Sequence, residues 1–176
     1  MIQTPRKIAN VFMLFALLST LFAQRRHDPL NPAEADQLRE AAQVPSERIR
    51  LYIEFARTRL TSLDQMRADP KVTDRPRQTH DRLQDFLDVY DELNDNIDTF
   101  VARKADLRKP LKGVIEADTE FQARLRALKG SIESSKEETS QYEFMLNSVL
   151  DTVDSGVQDH RQLLSEQDEA AKHKKK

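Results

Sequence analysis

Apolar and aromatic residues recur at alternating steps of three and four from Leu83 to Val153. The run begins Leu83, Phe86, Tyr90, Leu93 and ends Leu146, Val149, Val153, and only Lys104, Asp118, Ser135 and Thr139 interrupt it. That is a heptad seam held in one phase for about ten heptads, beyond the three or four that suffice to identify coiled-coil packing. A helix with such a seam cannot bury it alone, so the stretch predicts helix partners. It does not predict a reaction.

Two shorter helices are predicted before the seam. Asn31-Pro32-Ala33-Glu34 carries an N-cap residue, a proline at the first helical position and an acid in the first turn. This helix should run to about Gln43 on a thin apolar side of Ala35, Leu38 and Ala42. Pro45 breaks it, and Ser46 is placed to cap the next helix, from about Ser46 to Arg67. Ile49, Tyr52, Ile53, Ala56, Leu60, Leu63 and Met66 form its apolar face. The loop Ala68–Pro76, with two prolines, should fold this helix back, antiparallel, onto one beginning near Arg77–His80.

Within the seam, Pro110 and Gly130 are the candidate breaks. Inside a helix Pro110 would clash with the carbonyl of Asp106 and cost about 3 kcal/mol. Leu107, Leu111 and Val114 nevertheless keep phase through it, which favours a kinked continuous helix over a hairpin. Gly130, followed by the polar run Ser134–Ser140, marks where the chain should turn back. Asp154-Ser155-Gly156 should weaken the last helix, and residues 166–176 read as a charged, disordered tail ending in KHKKK. The fold class that follows is all-α: an elongated antiparallel bundle of three to four long helices, spanning residues 31–165. An uncovered seam within one chain would call for a second copy.

Composition narrows the function classes. Charged residues make up 33% of the 176-residue chain and glycine is scarce, as long helices require. No cysteine is present, which removes disulfides, thiolate metal sites and cysteine lipidation. Residues 1–23 have the form of an export signal: Arg6 and Lys7, then an apolar stretch from Val11 to Ala23, too short for a membrane span of roughly 20 residues. Leu21 and the arginines at 25 and 26 leave an uncleaved anchor as the alternative, and 24–30 is a polar linker. Either way the bundle is expected outside the cytoplasm, and membrane contact only if the signal stays. Removing Arg6 and Lys7 takes the formal charge from −2 to −4, and neither value argues for nucleic acid.

Candidate chemistry is sparse. Asp81, Asp85, Asp88, Glu92 and Asp95 form a carboxylate row whose oxygens would suit a divalent cation. They fall in the outermost heptad columns, however, so the row is expected to diverge into water. Lys104 and Asp118 are the charged seam positions. Snorkelling and an exposed rim position are the first expectation for them, with control of register or oligomeric state as the alternative. His27, His80, His160 and His173 match neither Glu-x-x-His nor His-Glu-x-x-His spacing and are read as structural or solvated. No nucleotide-binding loop or nucleophile elbow occurs. The expectation is a non-enzymatic exported protein, without cofactor, acting through a protein partner or itself. The alternative is a bundle binding a small ligand or cation.

Overall fold

The computed structural model describes residues 28–135 and 139–173. The expected signal and most of the linker lie outside the described residues. Among the described residues the chain forms five helices and no strand.

Helix α1 (Pro32–Glu40) starts as its sequence predicts. The Asn31 side chain accepts the Glu34 N–H at 3.0 Å, and the Glu34 carboxylate accepts the Asn31 N–H at 2.9 Å. Two arginines of the next helix dock it. Arg59 donates to Glu34 at 2.6 Å and to the Pro29 carbonyl at 2.9 Å, and Arg48 donates to the Leu38 carbonyl at 2.8 Å. Helix α2 (Pro45–Ala68) begins one residue before Ser46. Val44 occupies the cap position without a side-chain bond, because Pro45 at the first helical position needs no N–H partner and has φ already set. Helix α3 spans Arg75–Ala102.

Pro110 is not a kink. Helix α4 (Arg108–Ser135) is a new helix and runs antiparallel to α3. Pro110 is its third residue, where a missing N–H is one of the orphan donors of any helix start. Helix α3 ends in a Schellman motif: Ala105 N–H bonds Phe100 C=O at 3.0 Å and Lys104 N–H bonds Val101 C=O at 2.8 Å. Lys104 takes the left-handed position, φ 59°, where glycine is usual. Phase misleads here because seven residues separate Phe100, the last core layer of α3, from Leu107, the first of α4. A reversal one heptad long leaves the repeat intact.

Gly130 is not a break either. It lies inside α4, which continues to Ser135, and described turn residues follow at 140–142. Buried Leu128 and Ile132 flank it, and their packing outweighs a glycine penalty of about 1 kcal/mol. Helix α5 (Glu143–His173) passes through Asp154-Ser155-Gly156 and through residues 166–173, expected to be tail. Gln167 explains part of that extension. Its side chain accepts the Leu107 N–H at 2.8 Å and donates to the Ala105 carbonyl at 3.3 Å, so α5 holds the α3–α4 turn.

The four long helices alternate in direction. Arg48–Asn96 at one end and Arg67–Thr79 at the other make α2 and α3 antiparallel. Gln122–Asp154 and Lys129–Asn147 do the same for α4 and α5. Helix α4 packs beside α2, in parallel, with Arg57–Glu120 at 2.8 Å and Arg124–Asp64 at 2.6 Å. Helix α5 packs beside α3. The consecutive helices α3 and α4 therefore sit diagonally, meeting through long side chains such as Phe86 and Phe121, 5.3 Å between centroids. At interaxial distances of 8–10 Å a diagonal is about 11–14 Å, within reach of a five-residue link of roughly 17 Å.

This order sorts charge. Helix α3 carries seven acidic against three basic side chains and α5 seven against two. Helix α2 carries five basic against three acidic and α4 six against four. The acidic helices are neighbours, and so are the basic ones. One side of the rod is acidic and the other mildly basic. Every apolar seam position is buried, and Val44 and Phe144 are the large apolar residues left exposed among the described residues.

Two predictions follow from these contacts. A Cβ on Gly130 meets nothing within 4 Å, whereas one on Gly156 would lie 3.1 Å from Tyr90 Cζ and closer still to its hydroxyl. Gly130→Ala should stabilise by about 0.5–1 kcal/mol, and Gly156→Ala should destabilise by about 1–3 kcal/mol, both read from urea midpoints. Second, burial raises the Glu34 carboxyl, but the Arg59 and Asn31 hydrogen bonds and the Arg59 charge offset this and hold it below its ordinary 4.5. Its contribution is then complete above that value and fades as pH falls through the lower folded value. Glu34→Gln should cost about 1–3 kcal/mol at neutral pH and flatten that part of the acid profile; an unchanged profile would exclude this role.

Candidate functional site

The seam places Asp118 inside the bundle, not on the exposed rim its charge suggests. It is fully buried on α4, opposite Tyr90 of α3 and His160 of α5. The Tyr90 hydroxyl donates to Asp118 Oδ1 at 2.9 Å, and His160 Nδ1 lies 2.8 Å from Oδ2. With the carboxylate accepting, the nitrogen facing it is Nδ1–H. Burial, followed by the Asp118 charge and hydrogen bond, pushes the Tyr90 hydroxyl well up, so it stays a protonated donor. Tyr90 in turn stacks on Phe86 and meets Phe121 edge-on, with centroids at 5.8 and 6.3 Å. Gly156 is the α5 position against which Tyr90 lies.

This arrangement joins three helices at one level. A one-heptad slip brings Leu83 or Ile97 to the Tyr90 level, Leu111 or Leu125 to the Asp118 level, or Val153 to the His160 level. A slip of α3 or α5 would take one of its two donors from the buried carboxylate, and a slip of α4 would take both, which costs several kcal/mol. The register role considered for Asp118 thus has a geometric basis. Lys104 has no share in it: it is exposed at the α3–α4 turn and does not meet Asp118.

Tyr90 and His160 escape motif matching, although a signal for them exists. Continuing the seam past Val153 by three and then four residues reaches Gly156 and His160, both buried. Periodicity, not metal-ligand spacing, was the usable clue.

The carboxylate row behaves as its heptad columns imply. Asp81 and Asp95 are exposed, and Asp85, Asp88 and Glu92 are half-buried. Asp85 accepts from Arg82 at 3.2 Å and Asp88 from Gln84 at 2.6 Å, so the row is tied along its own helix and does not converge. Among the described residues no cluster of His, Asp and Glu is arranged to hold a metal ion. Desolvation, then the charges of Asp88, Asp95 and Glu92, push the Asp91 carboxyl up, a sign of crowding on this face.

Between α3 and α5 an open groove of about 540 Å³ runs along the acidic side. Ile97, Val101 and Leu163 give it apolar walls, and Asp98, Asp151 and Asp159 line it with exposed carboxylates. His160 reaches it from within, and Asn94 lines it with a buried Oδ1 that lacks a hydrogen-bond partner.

Asp118→Ala leaves two buried donors unpaired and should cost about 3–5 kcal/mol, against about 1–2 kcal/mol for Tyr90→Phe. Denaturant unfolding checks the difference; equal, small losses would show that the carboxylate is not the centre of the network.

Comparison with known proteins finds no matching family model, no matching curated protein and no matching solved structure.

Proposed function

We propose that the chain is an exported, non-catalytic binding protein whose acidic α3/α5 face docks a basic segment of a protein partner. The observation that carries this reading is the placement of the two acidic helices side by side. Like charges crowded on one face repel one another, and a cationic partner relieves that repulsion while it is steered in by the field. The polarity of the exposed surface supports docking through charge, since among the described residues the apolar seam is consumed inside one chain and leaves no stripe for a second copy to cover. Export rests on Arg6, Lys7 and the apolar stretch up to Ala23. Among the described residues no helix is long and apolar enough to cross a membrane.

A fluorescent oligolysine peptide should bind the protein, with affinity falling steeply as salt is added. Asp91→Asn with Asp95→Asn should weaken it roughly three- to tenfold, chiefly in the association rate. Removing Lys109 and Lys112 from the opposite side should strengthen binding or leave it unchanged. Equal effects on both sides would refute a directional face, and a mass that grows with protein concentration in sedimentation would make a second copy the occupant.

A further inference from the structure

We propose that the end of the rod formed by the α3–α4 turn is a cationic foot that docks on the anionic headgroups of a lipid bilayer. Residues 103–112 carry five basic side chains against one acidic. Arg108 is neutralised by Asp106, whose Oδ1 accepts from its Nε at 2.9 Å. Arg103, Lys104, Lys109 and Lys112 are exposed, and among the described residues their side chains have no ion pair or hydrogen bond. The contrast lies within α4 itself. Its other cations, Arg124, Arg126 and Lys129, are held by Asp64, Asp154 and Asn147. Arg108 and Lys109 stand in the first turn of α4, where the helix dipole disfavours cations, so helix stability does not account for them.

Neighbouring elements add to this end. Gln167 holds α5 level with the turn, α5 runs on past it to His173, and the sequence then adds Lys174, Lys175 and Lys176. Helices α2 and α4 are parallel, and equal steps back from Arg57 and Glu120 bring Val44 level with Leu107. Val44 is one of the large apolar residues left exposed. The carboxylates of Asp106 and Asp168 share a shallow cleft with Lys109 and Lys112, and Glu169 is bound to Lys172, which leaves the cations in excess. A bilayer fits this end better than a linear polyanion does. Four helices 8–10 Å apart present an end roughly 20 Å across, which meets several headgroups at once. Along the flanks Arg50, Arg57, Arg124 and Arg126 are tied in ion pairs, so no continuous track of free cations is left for a polymer. Each lysine or arginine near an anionic bilayer adds to the attraction, and an exposed apolar side chain enters between headgroups. The same surface repels the acidic α3/α5 side, which turns the rod end-on.

Co-sedimentation of the full chain with vesicles tests this, using phosphatidylglycerol mixed with phosphatidylcholine against phosphatidylcholine alone. The expected result is stronger binding to the anionic vesicles, lost as salt is raised. Arg103→Gln, Lys104→Gly, Lys109→Gln and Lys112→Gln together should weaken it roughly tenfold or more. Lys104→Gly suits the φ of 59° and the other positions are exposed, so thermal unfolding followed by circular dichroism should not come earlier. A control that removes as many exposed cations elsewhere, Lys71→Gln, Arg77→Gln, Arg126→Gln and Lys129→Gln, should weaken binding less than about twofold. The apolar stretch from Val11 to Ala23 is the same in all three proteins, so its own contact with lipid drops out of the comparison. The chain has no cysteine, so an environment-sensitive dye on Val44→Cys or on Ser134→Cys reports from one place. The first should shift to the blue on anionic vesicles and the second should not. Equal losses in the two quadruple variants, equal binding to both kinds of vesicle, or equal dye shifts would overturn the foot. So would capture of polyphosphate with vesicles left unbound, or a mass that grows with protein concentration without lipid and that the first variant abolishes; these would make a linear polyanion or a second copy the occupant.

Discussion

One buried carboxylate joins three of the four long helices of this bundle at a single level. Asp118 sits in a core otherwise built from interchangeable apolar layers, and Leu, Ile, Val and Phe layers pack acceptably in several registers. A charge in hydrocarbon does not: it is tolerable only where donors meet it, and Tyr90 and His160 meet it at one alignment of α3, α4 and α5. The demand spreads outward. Tyr90 needs room beside α5, which Gly156 supplies. With α5 fixed, Gln167 reaches the α3–α4 turn and bonds the Leu107 N–H and the Ala105 carbonyl.

That turn has a larger consequence than its five residues suggest. Because α3 crosses the diagonal to α4, the cyclic order becomes α2, α3, α5, α4. Along the chain the long helices alternate basic, acidic, basic, acidic. Packed in sequential order they would alternate around the rod, every neighbour offering opposite charge. The diagonal link instead gathers like with like on the α3/α5 side. Ion pairs such as Arg57–Glu120 and Arg124–Asp64 stitch the other side. The result is a rod with one acidic side and one mildly basic side.

The groove lies where these two features meet. Its inner wall includes the histidine that serves Asp118, and its rim belongs to the acidic face. A residue of the buried network thus also lines the groove.

The sequence by itself determined most of the apolar core. Every apolar position that the heptad repeat named from Leu83 to Val153 is buried, because burial on a helix follows local periodicity, while Val89, Ala117 and Leu150 are buried beside the seam. It also determined the start of α1 and the breaks at Pro45 and before α3, which are local matters of capping and proline chemistry. It misjudged Pro110, Gly130 and the last helical turns, where local cues were outweighed: a reversal one heptad long preserves phase, and packing carries a helix through a glycine. Only the tertiary structure decided that Asp118 would find Tyr90 and His160, residues 28 and 42 positions away, and that acidic helices would lie side by side. Both depend on which helices become neighbours, a three-dimensional choice that periodicity along one chain does not encode.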